Sequence, residues 1–167
     1  MNLELDEELP FGPFEPYLTG MWNNYIKKKI NKEKSTPICC NNDSIIFANL
    51  YSLNNYNFLS FSIVGNFKVN SNSPAKMAFN FDSNNTYEIE SDDEIIKSDY
   101  SYDLKLGITK FDIELSNELS KILKSSTLNS INIEFKTVIS LKKIKRNNFE
   151  NIHQPNVFSI FKKMDTL

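Results

Sequence analysis

One stretch of the sequence constrains the fold more than any other: SIIFANLYSLNNYNFLSFSIV, residues 44–64. If Asn54 and Asn55 form a two-residue turn, one face of the ribbon is apolar throughout. Asparagine tolerates the positive φ that a type I′ turn requires at both of its positions. A slip of one residue would set apolar residues against serines. The pattern therefore predicts an antiparallel hairpin with one buried face, on which the pairs are Leu50 with Leu59, Ala48 with Phe61 and Ile46 with Ile63.

A second hairpin is predicted in KMAFNFDSNNTYEIE, residues 76–90, where apolar residues again alternate on both sides of a polar turn. A three-residue loop over 83–85 needs a left-handed residue at its end, and Asn85 can take that conformation. This loop would pair Phe81 with Tyr87 and Phe79 with Ile89. The aromatic residues of both strands would then share one face.

The acidic residues around this turn also allow a metal-site hypothesis, which the spacing does not favour. A calcium loop starting at Asp82 would need glycine where Tyr87 stands and glutamate where Asp93 stands. Residues 91–94, SDDE, match a helix capping box instead. Glu88 shares the outward face of its strand with Glu90, so paired carboxylates for acid–base chemistry remain an alternative. The hairpin accounts for the whole segment, and we expect no metal there.

The rest of the chain gives shorter strand and helix patterns. In YDLKLGITKFDIEL the apolar positions change phase beside Gly107, which predicts a bulge or a strand that leaves one sheet for another. Ser116 is a helix cap, SINIEFKTVIS alternates as a strand, and Pro155 suits the start of a last helix. We predict about seven strands, mostly antiparallel, and three short helices. This is an α+β, sandwich-like or partly open domain over residues 41–167.

The composition excludes several classes of protein. The chain has 167 residues, 40% hydrophobic and 24% charged, with a net charge of −2. We therefore expect one folded domain without a general attraction to nucleic acid or to anionic membranes. No stretch approaches the roughly 20 apolar residues of a membrane span, and the acidic N-terminus does not resemble a signal peptide. Because Cys39 and Cys40 are adjacent, a reducing, cytoplasmic location is the simpler interpretation, with a metal-binding or redox-sensing vicinal dithiol as the alternative.

Few residues point to catalysis. His153 is the only histidine, which disfavours catalytic triads and four-ligand zinc sites. The four glycines are scattered and form no phosphate-binding motif. Two lysine-rich clusters, at 27–34 and 142–146, are interpreted as solvated faces, with phosphate contact as the alternative, since Arg146 is the only arginine. We expect no cofactor, no metal and no enzymatic activity. Catalysis by carboxylate or lysine side chains stays an alternative, since it requires no spacing that can be recognised in one sequence.

The N-terminal arm, LPFGPFEPYLTG (residues 9–20), differs from everything that follows it. Its prolines favour an extended, polyproline-like conformation, and an amphipathic helix is predicted directly after it, so that residues 1–40 form an arm and helix ahead of the globular domain. The segment either folds back over its own sheet or docks on a neighbouring subunit. The residues predicted to bind a partner are Phe11, Phe14, Tyr17, Trp22 and Tyr25.

Binding therefore suits this sequence better than catalysis. Our hypothesis is a non-enzymatic interaction or assembly module, such as an accessory or structural subunit of a phage, virus or secretion-type particle. Abundant asparagine, isoleucine and lysine suggest an AT-rich genome and hence a phage, viral or bacterial source. The alternative is an immunity- or inhibitor-type protein that neutralises one partner protein. A small-ligand carrier that uses the sheet interior and a carboxylate enzyme are two further alternatives.

Overall fold

The computed structural model describes residues 24, 28, 30, 35–41, 44–65, 76–82, 84–90, 97–136, 144–149, 151–152 and 154–162. Within these ranges ten strands and two helices form two antiparallel sheets. Side chains from both sheets meet in one central core, so the architecture is a β-sandwich. This confirms the predicted antiparallel β-rich class.

The larger sheet contains β1 (Thr36–Cys40), β2 (Ser44–Leu53), β3 (Tyr56–Gly65), β6 (Lys97–Ser101), β7 (Leu106–Glu114) and β10 (Asn151–Ile152). Its order is β10-β1-β2-β3-β7-β6. The smaller sheet contains β4 (Lys76–Phe81), β5 (Thr86–Glu90), β8 (Leu128–Lys136) and β9 (Ile144–Phe149), in the order β5-β4-β8-β9. The helices are α1 (Asn117–Ser125) and α2 (Gln154–Lys162).

The hairpin of β2 and β3 has the predicted register. Asn54 and Asn55 form its turn with φ values of 52° and 69°. Both angles are left-handed, as a type I′ turn requires, and asparagine adopts them at little cost. The three predicted pairs are all present, and their side chains enter the central core.

The hairpin of β4 and β5 faces the core as predicted, but its predicted register was wrong. Phe79 lies opposite Tyr87 rather than Ile89, and Met77 lies opposite Ile89. The left-handed residue is Asn84, with a φ of 60°, and the Phe81 amide donates to the Asn85 carbonyl. The three-residue loop therefore spans 82–84, one position earlier than predicted. Because a shift of the loop by one residue moves the pairing by two, the buried face is unchanged.

Within the described ranges the structure has ten strands, whereas seven were predicted. Four short strands were missed, because β1 contains a proline and β6, β9 and β10 are polar or very short. Conversely, the phase change beside Gly107 was predicted as a bulge or a change of sheet and is neither. β7 pairs with β3 without interruption from Gly107 to Glu114. The apolar residues of β7 lie on one face in its first part and on the other face in its second part. They change face because each face of the larger sheet is apolar over a different part of the sheet.

The two described helices pack against the central core of the sandwich. They correspond to two of the three predicted helices, and the first predicted helix lies mostly outside the described residues. Ser116 caps α1 as predicted, its hydroxyl accepting from the Leu119 amide at 3.0 Å. Buried side chains from both helices enter the central core: Leu119, Leu123, Val157 and Ile160. The cavity beside them measures only about 10 Å³ and has apolar walls, far below the several hundred Å³ of a small-molecule site.

Candidate functional site

The structure does not place the residues predicted to bind a partner. Phe11, Phe14, Tyr17, Trp22 and Tyr25 lie outside the described residues. His153 and the acidic residues at 91–94 lie outside them as well. Of the first lysine cluster, Lys28 is described and exposed.

The adjacent cysteines point to opposite faces of the larger sheet. Cys39 lies opposite Ile46 and belongs to the central core, whereas Cys40 lies opposite Ile45 on the outer face. Both thiols are free and buried. Burial raises the pKa of Cys40, and burial together with the neighbouring Cys40 raises that of Cys39 well above its usual value. Two protonated thiols on opposite faces do not make a common metal or redox site.

The described part of the chain has neither a metal-binding cluster nor a membrane-spanning helix. Its His, Cys, Asp and Glu side chains form no group of three or more that could hold a metal ion. Neither described helix is long and apolar enough to cross a membrane. The outer face of the larger sheet, in contrast, has an unusual chemistry.

One half of this outer face is buried. Strand alternation places the residues between the core-facing positions on this side, and here they are large and apolar. We call them the outer cluster: Ile30, Cys40, Ile45, Phe47, Val64, Leu106 and Ile108. Ile30 is 1% exposed and comes from the chain that precedes β1. Ile30 therefore contacts the larger sheet on its outer side.

The other half of the outer face exposes large side chains beside the β2–β3 turn. Tyr51 lies opposite Phe58, and Leu53 lies opposite Tyr56. All four alternate with the core-facing residues, so they project from the outer face. Leu53 is 57% exposed and Tyr56 is 58% exposed. We call these four residues the tip patch.

Tyr51 is held in a fixed position within the tip patch. Its ring stacks on Phe58 with a centroid separation of 5.2 Å and an interplanar angle of 17°. Its hydroxyl donates to Asp112 Oδ2 at 2.8 Å. Because Asp112 is on β7, two strands away, the side chain reaches across β3 and lies along the sheet. Partial burial, then the hydrogen bond and charge of Asp112, raise the pKa of Tyr51 to about 12.

The surroundings of the tip patch are polar. On β7, Glu114 lies opposite Phe58, Asp112 lies opposite Ser60, and Lys110 lies opposite Ser62. Glu114 is exposed, and the other two are partly buried. Ordered aromatic rings with a polar rim are the usual composition of a protein-binding surface.

The tip patch was not predicted from the sequence, although a signal was present. The alternation of β2 and β3 predicted one buried face and left the residues of the opposite face unassigned. Four of those unassigned residues are Tyr51, Leu53, Tyr56 and Phe58. Apolar residues at both phases of a strand indicate that both faces have contacts.

Known proteins give no guide to this surface. The chain matches no protein-family model, no curated protein and no solved structure. A functional assignment therefore depends on the geometry of the chain itself.

Proposed function

We propose that this chain is a non-enzymatic protein-interaction module that binds a partner protein through the tip patch. The observation that carries the proposal is that the four large side chains of the tip patch are adjacent and two of them are more than half exposed. They lie on a face whose other half is buried. Contiguous exposed apolar surface of this kind is a common mark of an interaction site.

The tip patch suits binding because part of it already has a fixed conformation in the unbound chain. Tyr51 is fixed between Phe58 and Asp112. A side chain that is already ordered loses little conformational entropy on association, so more of its burial contributes to affinity. Tyrosine is also among the residues that most often dominate binding energy.

The biological setting that best matches such a module is an assembly. An accessory or structural subunit of a phage, virus or secretion-type particle combines a compact β-rich body with an aromatic N-terminal segment. Under this proposal Phe11, Phe14, Tyr17, Trp22 and Tyr25 provide a second contact surface. The cytoplasm, or a particle assembled there, is the proposed location.

Affinity capture with the tagged full chain, from a lysate of the cells that produce it, tests the proposal. We expect a defined partner to be captured by the wild type and at least tenfold less by Tyr56→Ser, because a central aromatic anchor commonly contributes 2 kcal/mol or more, about 30-fold in affinity. Glu88→Ser on the smaller sheet is the control, since Glu88 is exposed on the opposite side of the sandwich.

The identity of the partner then separates the two hypotheses. A particle component supports the subunit function, whereas an enzyme or toxin inhibited in a one-to-one complex supports the immunity-type alternative. Equal capture by Tyr56→Ser and Glu88→Ser would refute the tip patch as the contact surface. Circular dichroism of each variant confirms that the fold is retained.

A further inference from the structure

We propose that the tip patch binds the N-terminal arm of a second copy of this chain, with residues 10–17 in a polyproline II conformation. This inference rests on the proposed function of the tip patch as a contact surface. It adds the identity of the ligand and predicts that the chain associates with itself.

The arm has a three-residue period that matches its proposed conformation. Residues 10–17 read PFG, PFE and PY, with a proline followed by an aromatic residue each time. A polyproline II helix has three residues per turn, rising about 3.1 Å per residue. In this proposed conformation the prolines would lie along one edge and Phe11, Phe14 and Tyr17 along another, each about 9 Å from the next.

The tip patch has the chemistry that binds such a helix. Segments of the form P-x-x-P dock on surfaces lined by aromatic rings, and their rigidity lowers the entropic cost of binding. Tyr51, Phe58 and Tyr56 provide these rings, and Asp112 holds the first of them along the sheet. Successive rows on one face of a strand are about 7 Å apart. Two prolines one turn apart thus match the two rows of the patch approximately.

The arm also starts from the correct side of the molecule. Ile30 belongs to the outer cluster, on the same face as the tip patch, and follows Tyr17 by 13 positions. If helical, those positions span about 20 Å, and if extended about twice that. Along β2, the tip patch extends from about 13 Å to about 20 Å from Phe47 in the outer cluster. An arm that leaves this face can therefore reach a tip patch beside it.

The proposed donor of the arm is a second copy, since the described part of the same chain leaves two residues of the patch exposed. Leu53 and Tyr56 are 57% and 58% exposed in the single chain. If each of two copies offers its arm and its patch to the other, a closed two-fold dimer results, whereas one-way binding builds a chain of subunits. Either arrangement would suit a subunit of an assembly.

Light scattering during size-exclusion chromatography of the full chain tests the inference. We expect the wild type to associate, and we expect both Phe14→Ser in the arm and Tyr56→Ser in the patch to weaken association at least tenfold. The controls are Asp6→Ser, in the N-terminal segment but outside the repeat, and Glu88→Ser on the smaller sheet. Both controls should associate as the wild type does.

Mixing the two weakened variants gives the sharpest result. The Tyr56→Ser chain keeps an intact arm, and the Phe14→Ser chain keeps an intact patch. We therefore expect a heterodimer when they are mixed, at concentrations at which neither variant associates by itself. A labelled peptide of residues 8–18 should likewise bind the Phe14→Ser chain and not a chain that also carries Tyr56→Ser.

The other outcomes overturn the inference in distinguishable ways. A monomeric wild type whose patch binds the peptide only when the chain carries Phe14→Ser would mean that the arm covers its own patch. Absence of both association and peptide binding would exclude the arm as the ligand. In that case the proposed function stands if Tyr56→Ser still abolishes partner capture, and it falls if capture is unchanged.

Discussion

The outer faces of the two sheets differ in chemistry although both belong to the same sandwich. On the smaller sheet the outward residues of β4, β5 and β8 are polar except Ala78, and some bind one another: Asn80 donates to Ser130 Oγ at 2.9 Å and accepts from Thr86 at 3.0 Å. On the larger sheet the outward residues are apolar in the outer cluster and aromatic in the tip patch. Only the outer face of the larger sheet gains free energy when water is excluded from it.

This difference indicates on which side the molecule has further contacts. A sheet with one buried face alternates apolar and polar residues, whereas a sheet with contacts on both sides is apolar at both phases. The smaller sheet follows the first pattern and requires no cover. The larger sheet follows the second, with one half of its outer face buried, while Leu53 and Tyr56 are exposed in the other half.

The largest expected effect comes from a residue on the buried half. Phe47 is 2% exposed, so Phe47→Ala should lower the free energy of unfolding by about 3 kcal/mol or more, as for a core phenylalanine. Asn132→Ala, at an exposed outward position of the smaller sheet, should change it by less than about 0.5 kcal/mol. Urea denaturation followed by circular dichroism measures both. Similar values for the two variants would show that the outer faces are energetically alike.

A smaller effect is expected from the segment that contacts the outer cluster. Ile30→Ala removes a buried side chain and should cost about 2 kcal/mol, at the low end for such a truncation. Lys28→Ala, two positions earlier and exposed, should be close to neutral. The same denaturation experiment applies. If Ile30→Ala were also neutral, the preceding segment would not stabilise the larger sheet.

The sequence predicted those parts of the fold in which the local residue pattern is compatible with only one turn and one register. Two asparagines with left-handed φ fix the turn of the β2–β3 hairpin, and its apolar pairs allow one register. At the β4–β5 turn, Asn84 and Asn85 were equally suitable for the left-handed position, and the wrong one was chosen. The strand β6, KSDYS, was missed because edge strands need no apolar face.

The candidate site was predicted less well than the fold. A phase change within β7 was interpreted as a break in the strand, whereas it marks the point where burial moves from one face to the other. Leu106 faces the outer cluster and Ile113 faces the central core. Which apolar face is covered depends on tertiary contacts, so the local pattern could not separate the two cases. The predicted arm residues stay predictions.

The next effect tests how Tyr51 is held in the tip patch. Tyr51→Phe removes the hydrogen bond to Asp112 and should lower the free energy of unfolding by about 1 kcal/mol near neutral pH. Asp112→Asn, which keeps an acceptor, should cost less. Because the first variant retains the ring, a loss of about 3 kcal/mol would indicate that the hydroxyl has a larger structural role than the geometry suggests.

The contribution of Tyr51 should also depend on pH. Its pKa is raised to about 12 in the folded chain, against about 10 for an unperturbed tyrosine. The stabilisation is therefore complete below about pH 10 and is lost as the pH rises towards 12, since the unfolded chain releases its proton first. The difference in stability between wild type and Tyr51→Phe should shrink over this interval. A constant difference would contradict the raised pKa.

The smallest expected effect concerns the exposed end of the tip patch. Because Tyr56 is 58% exposed, Tyr56→Ser should change the free energy of unfolding of the monomer by about 0.5 kcal/mol or less, close to the effect of Glu88→Ser on the smaller sheet. Denaturation at low protein concentration isolates the monomer from any association. A cost above about 1.5 kcal/mol would mean that the fold itself requires this ring. The aromatic surface would then be explained by hairpin stability, and the contrast between the outer faces would no longer indicate a partner.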